Sequence, residues 1–305
     1  MTTVYTEGYI EQTTAAEENA MGTLYNIGKP IKGKPIIDWT MVESLVKQDV
    51  MGQYYNTLGA GNQTIDKVNL NFYPLNGDFL FWMLGKRSAT SGTRTITNMD
   101  GLSGGMNDTG FKPRLTLWKN VNGDKRHIYG TVFGSMNLAW GNANNGLQVS
   151  MEGIGMKHGT DSVATTPSYK GSVDSLWTTV TAMTWDSGSL TPYGLTLQLQ
   201  QGLDSNVGYN GYNENINEFS TCSGVYKLIC GATDGETLLA DYTASNAKTF
   251  VWTVRKAADS TKLMTFTSTL ARIGTVIKEE VLGLPPIYTM SIDIQNISAV
   301  VTDGL

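Results

Sequence analysis

The sequence predicts an all-β protein with a minor helix, and three features carry that prediction. Apolar and polar residues alternate with a period of two through long stretches. Ile128, Val132, Met136, Leu138 and Trp140 fall on one parity, with Tyr129, Thr131, Phe133, Ser135, Asn137 and Ala139 on the other. Such spacing sends successive side chains to opposite faces of a strand. Turn formers then break the alternation, as in Gly141-Asn142-Ala143-Asn144-Asn145-Gly146, residues that tolerate positive φ. Finally, only 16% of the 305 residues are charged while 34 are glycine, and the 40% that are hydrophobic suffice for a core.

Taken in order, residues 1–35 are polar, with Gly28-Lys29-Pro30 and Gly33-Lys34-Pro35 as breakers, and read as an extended arm. Residues 38–46 fit either a helix capped by Asp38 or a strand, and the β-rich surroundings favour the strand. Val68, Leu70 and Phe72 alternate with Asn69, Asn71 and Tyr73, a strand stopped by Pro74-Leu75-Asn76-Gly77. Asp78 is then placed to cap a short helix over 79–84, ended by Gly85. That helix is apolar all round and should lie buried. Residues 86–110 read as one long polar loop.

A strand over 115–118 leads through 120–124 into the alternating stretch 128–140. Leu147, Val149 and Met151 resume the alternation after the turn and complete a hairpin. The apolar phase slips after Gly153 to Ile154 and Met156, which suggests a β-bulge. Residues 158–176 are again polar. Later strands are expected at 195–201, 226–230, 249–254, 263–269, 274–279 and 288–294.

The two halves resemble each other in element order. KVNLNFYPLNGDFLFWML, with Val68, matches GVYKLICGATDGETLLADY, with Val225. DVMGQYYN at Asp49 matches DSNVGYNGYN at Asp204, and RLTLWK matches TFVWTVRK with Trp118 on Trp252. The division that follows is an arm at 1–35, a first repeat at 36–157 carrying the loop 86–110, a linker at 158–192 and a second repeat at 193–305.

Residue chemistry argues against several functions. A net charge of −5 gives no basic face for nucleic acid. No apolar run approaches eighteen residues, and the first residues show neither a basic nor an apolar signal region. Cys222 and Cys230 could pair across a hairpin, but without a secretion signal free thiols are expected. His127 and His158 lack metal-ligand spacing and read as surface residues at strand ends. Gly153-Ile154-Gly155 with Gly159 misses the dinucleotide fingerprint in spacing. Asn62, Asn107 and Asn296 begin glycosylation sequons. Asp234 with Glu236, or Glu279 with Glu280, would be the carboxylate pairs of a glycosidase, but a solvated face accounts for them. No catalytic, cofactor-binding or metal-binding residue is assigned, and no enzyme and no cofactor are expected. A secreted β-sandwich module binding carbohydrate through some of the seven Trp and fourteen Tyr is the alternative.

Three segments in order, PLNGDFLFWMLG, FKPRLTLWK and HIYGTVFGSMNLAW…NGLQVSMEGIGMK, resemble the tail tube (major tail) proteins of tailed bacteriophages. Gly130, Ser135-Met136-Asn137-Leu138 and Gly146-Leu147-Gln148-Val149-Ser150 fill that family's hairpin pattern. Pro113-Arg114-Leu115-Thr116-Leu117 fills the preceding strand, with Arg114 where Ser is usual. The resemblance implies a β-sandwich tube fold, duplicated here, whose copies form rings closed as a β-barrel. Rings stack into a hollow tail tube that delivers viral DNA. Its implied partners are further copies of itself, three per ring rather than six, and the tape measure, tail terminator and tail tip proteins. DNA would pass through the lumen without specific binding. The implied location is the virion tail, assembled in the host cytoplasm, with no membrane contact.

Overall fold

A computed structural model describes residues 12–17, 25–26, 28–31, 35–43, 46–48, 57–59, 63–88, 92–98, 112–121, 124–141, 146–160, 176–207, 213–244 and 246–303. Its first strands are β1 (Gln12–Glu17), β2 (Tyr25–Asn26), β3 (Gly28–Pro30), β4 (Ile37–Glu43), β5 (Val46–Gln48), β6 (Thr57–Gly59) and β7 (Gln63–Pro74). Helix α1 (Asp78–Leu84) is followed by β8 (Gly85–Arg87) and β9 (Thr93–Asn98). Next come β10 (Leu115–Val121), β11 (Asp124–Gly141), β12 (Gln148–Gly155) and β13 (Lys157–Thr160). The remainder holds β14 (Trp177–Trp185), β15 (Gly188–Ser189), β16 (Pro192–Val207), β17 (Asn213–Gly231) and helix α2 (Ala232–Ala244). The last strands are β18 (Lys248–Lys256), β19 (Leu263–Glu279), β20 (Ile287–Ile294) and β21 (Ser298–Thr302). The protein is mostly β-strand, as its alternation predicts.

One antiparallel series crosses the molecule: β4, β7, β12, β11, β16, β17, β20 and β19. Cross-strand partners in it form a continuous buried row of Ile37, Leu70, Met151, Met136, Leu199, Gly224, Ile294 and Ala271. This is why alternation is so legible in the sequence: each of these strands has one face on the core and one away from it.

Two long strands bend out of this series. Residues 124–131 of β11 pair with β10 and β13, whereas 132–141 pair with β12 and β16. Likewise β19 pairs with β18 and β21 near its start and with β20 along 271–279. Tyr226 of β17 meets Phe250 of β18 edge-on at 4.8 Å, and its hydroxyl accepts from Trp252 Nε1 at 3.4 Å. The central series and the strands behind it therefore share one core.

The same order of pairings occurs twice. β4–β7–β12–β11 is matched by β16–β17–β20–β19, and β1–β10–β11–β13 by β14–β18–β19–β21. A helix follows β7 and β17 alike. Matches read from sequence find the right elements but place Val68 one residue out. Val68 is buried in β7, and its counterpart in the row is the buried Tyr226, not the half-buried Val225. Trp118 and Trp252 fall in β10 and β18 but are also one residue out, because Trp118 pairs with His127 and its counterpart by register is Val251, which pairs with Thr267. The match at Asp49 lies outside the described residues.

Local details refine several expectations. Residues 38–43 are strand, part of β4. Every residue of α1 is buried, as its uniformly apolar sequence requires, and Gly85 ends it at φ 90°. Asp78 is not its cap: the N-cap is Gly77, and the Asp78 carboxylate turns instead toward Arg94 at 3.2 Å. The loop expected at 86–110 opens as a hairpin, because β8 pairs with β9 and β9 continues onto β21. Residues 99–111 lie outside the described residues. The described parts of the arm are extended and paired, β1 with β10 and β3 with β7.

The irregularity expected after Gly153 takes another form. Val149, Met151, Gly153 and Gly155 keep one buried phase, and the extra residues lie in the neighbours. The registers shift between Phe133 and Ser135 against β11, and opposite Gly153 and Gly155 in β7. Glycine is needed there, since a Cβ on Gly153 would stand 2.2 Å from the Val132 carbonyl. Beyond β8 and β9, sequence reading missed β5, β6, β13, β14, β15, β21 and α2. In α2 only Gly235 and Leu238 are buried, so no apolar stripe announces it.

Candidate functional site

The side of the eight-strand series away from the core is polar. Along β7 it carries Lys67, Asn69, Asn71 and Tyr73, along β12 Gln148, Ser150 and Glu152, and along β16 Thr196, Gln198 and Gln200. Among the residues whose exposure is described, the charges on it are Asp38, Glu152, Glu279 and Asp293 against Lys67, Lys227 and Arg272. Lys67 and Glu152 form an ion pair at 2.9 Å with both side chains about half exposed, a contact of little energetic weight. A shallow cavity of about 270 Å³ between β4, β7 and β12 is lined by Asp38, Lys67, Asn69, Asn71, Ser150 and Glu152. Within it the Ser150 hydroxyl donates to Asn71 Oδ1.

At one end of the series lies an open edge. β19 pairs with β20 along 271–279, and among the described residues no strand covers its other side beyond Ala271. The corresponding stretch of β11 has its second side filled by β16. Next to the open edge the β19–β20 connection is apolar and solvent-facing. Val281 is 60% exposed, Leu284 65% and Leu282 wholly so, while Ile277 and Ile287 stand out at 56% and 40%. The matching turn between β11 and β12 is Gly-Asn-Ala-Asn-Asn-Gly, and there Leu147 is buried. An unpaired strand beside exposed apolar side chains invites further chain to pair with it.

Of the four carboxylates singled out from sequence, Glu236 and Glu280 form ion pairs near this edge. Lys278 lies 2.8 Å from Glu280 and 3.6 Å from Glu236, and the Tyr288 hydroxyl donates to Glu236 Oε1. The hydrogen bond from Tyr288 holds Glu236 below the usual carboxylate range, and Glu280 beside Lys278 pushes that amine up. Asp234 turns elsewhere, accepting from the Thr191 N–H at 2.6 Å. Glu279 is exposed on the polar face beside Ile287. Neither pair faces a cleft among the described residues.

Other candidates disperse. His127 is buried within β11 at 4% exposure, not at a strand-end surface, and His158 pairs opposite Ile128 from β13. The expectation of two surface histidines fails at His127, which lies inside β11 with Trp118 of β10 and Gly159 of β13 paired on either side, not at a strand end. Among the described residues no cluster of His, Cys, Asp and Glu could hold a metal. Gly153 and Gly155 lie on β12 and Gly159 on β13, both of them strands. Asn296 binds Thr269 through both ends of its amide, while Asn62 and Asn107 lie outside the described residues. Of the seven Trp, four are buried and three half-buried. Cys222 and Cys230 are both free. They sit on one strand, eight residues or about 26 Å apart, beyond the reach of a disulfide. No described helix is long and apolar enough to cross a membrane.

What sequence reading missed was the open edge itself. It divided β19 into strands at 263–269 and 274–279, because Ala271-Arg272-Ile273-Gly274 interrupts the alternation. Gly274, where the register against β20 shifts, was the available signal. No protein-family model matches the chain, and no curated protein matches it.

Proposed function

We propose that the protein is a structural subunit that polymerises, as rings stacked into the hollow tail tube of a tailed bacteriophage. The observation that carries this is the open side of β19 in a pairing pattern made twice. The first half fills the same side of β11 with a strand from the second half, and repetition supplies the rule for adding another copy. A heterologous contact of this kind closes a ring when its rotation closes and grows a filament when it does not. The resemblance to tail tube proteins implies three copies per ring, because each chain carries twice a pattern of which that family's rings hold six. The polar side of the series suits a lumen lining. Among the described residues on it, acidic and basic charges are interspersed and Lys and Arg do not cluster as they do where DNA phosphates are held. The tape measure, tail terminator and tail tip proteins are the partners that this role calls for.

Electron microscopy of the purified protein, with sedimentation over a range of concentrations, tests the reading. Rings or tubes with threefold symmetry are expected. A strictly monomeric protein at high concentration, forming no tubes, would overturn it.

A further inference from the structure

We infer that the open side of β19 is covered by β4 of a second copy, in the register that β11 and β16 already use within the chain. This rests on the assembly reading above and adds to it the strands and the residue pairs.

The two halves can be superposed residue by residue through their pairings. Ile37, Leu70, Met151 and Met136 are opposite one another across β4, β7, β12 and β11. Leu195, Leu228, Met290 and Val276 hold the same positions across β16, β17, β20 and β19. The register shifts agree with this superposition. Gly134 lies at the shift between Phe133 and Ser135, and Gly274 at the shift between Ile273 and Thr275. β4 is thus the counterpart of β16, as β19 is of β11.

Inside the chain Met136 is opposite Leu199, Asn137 opposite Gln198 and Ala139 opposite Thr196. Carrying each residue to its counterpart places Val276 opposite Met41 of the second copy. Ile277 then faces Thr40, and Glu279 faces Asp38. Ile277 and Thr40 are both exposed in the single chain and both lie on the polar side, so the pairing withdraws Ile277 from water. Glu279 opposite Asp38 is a pair of like charges, which opposes the contact. Ile37 and Trp39 hold further interactions of their own in the single chain.

Crosslinking tests the register. In a Cys222→Ser background, Ile277→Cys is combined with Thr40→Cys, and separately with Asp38→Cys. Directly opposite Cβ atoms stand about 4.5–5.5 Å apart and diagonal ones about 7–8 Å, while a disulfide needs about 3.5–4.5 Å. Oxidation of assembled protein should therefore give covalent oligomers from the Thr40 combination, about tenfold above the Asp38 combination. Asp38→Lys alone should lower the concentration needed for assembly on the order of two- to fivefold, by replacing repulsion with attraction. Assemblies that crosslink best through Asp38, or not at all, would overturn the register and leave the assembly reading standing. Absence of any assembly by the folded variants and the parent protein would overturn both.

Discussion

Arg94 donates to Asp303 at 2.5 Å, with both side chains fully buried. The same carboxylate accepts the Gly77 N–H at 3.0 Å, just ahead of α1. Asp78 faces Arg94 at 3.2 Å and Arg87 at 3.8 Å. Arg87 also lies 4.2 Å from the centre of the Phe81 ring. This cluster fastens the β8–β9 hairpin, which only the first half possesses, to the end of β21 in the second. Replacing Arg94 by Leu would leave two buried carboxylates without their main counter-charge. The expected loss is about 3–5 kcal/mol of stability, measured as a lower denaturant midpoint.

The cluster also makes stability depend on pH. Burial pushes Asp78 up from 3.8 to about 6, and Asp303 adds to the rise while Arg94 and Arg87 oppose it. Between those two values the folded chain holds more protons than the unfolded one. This contribution therefore grows as pH falls from about 6 toward 4 and is lost as pH rises through 6. At 1.36 kcal/mol per pH unit it amounts to on the order of 3 kcal/mol. Urea unfolding between pH 4 and 7 should display this slope, and Asp78→Asn should flatten it.

Gly153→Ala should cost about 1–3 kcal/mol. The added methyl would meet the Val132 carbonyl, which is main chain of the adjacent strand and cannot swing away. A thermal melt of the variant checks this, and an unchanged midpoint would mean that β11 and β12 are more loosely joined than their register implies.

Ile277→Lys should leave the fold intact and suppress assembly. The side chain is 56% exposed, so the single chain loses little burial, while a lysine on an open strand blocks edge pairing. The readouts are an unchanged melting temperature beside a shifted sedimentation profile. A drop in stability with assembly unaffected would count against the edge as the contact.

Cys230 should react with thiol reagents only after unfolding, whereas Cys222 should react more readily in the native protein. Cys230 is wholly buried and its thiol is pushed up to about 11 by that burial, with Asp234 adding to the effect. Cys222 is half-buried, and burial raises its thiol too. Mass spectrometry after brief alkylation distinguishes the two.

The sequence by itself determined the strands whose two faces differ. β7, β12, β18 and β20 alternate because one side of each meets the core, and the resulting period of two is written residue by residue. α1 was legible for the complementary reason: buried on every side, it is apolar on every side. Even the repetition of elements showed, although one residue out of phase at Val68, since a shift of one exchanges the faces but preserves the order. Tertiary structure decided the rest. Neither Arg94 nor Asp303 is marked in sequence as a partner, because their meeting depends on a hairpin crossing to the far end of the chain. His127 looks like a strand-end residue in sequence, but β11 runs on through it and its side chain is buried. The open side of β19 is likewise absent from the sequence. Whether an edge is covered is settled by main-chain hydrogen bonds, which every residue except proline offers alike, so no side-chain pattern records it.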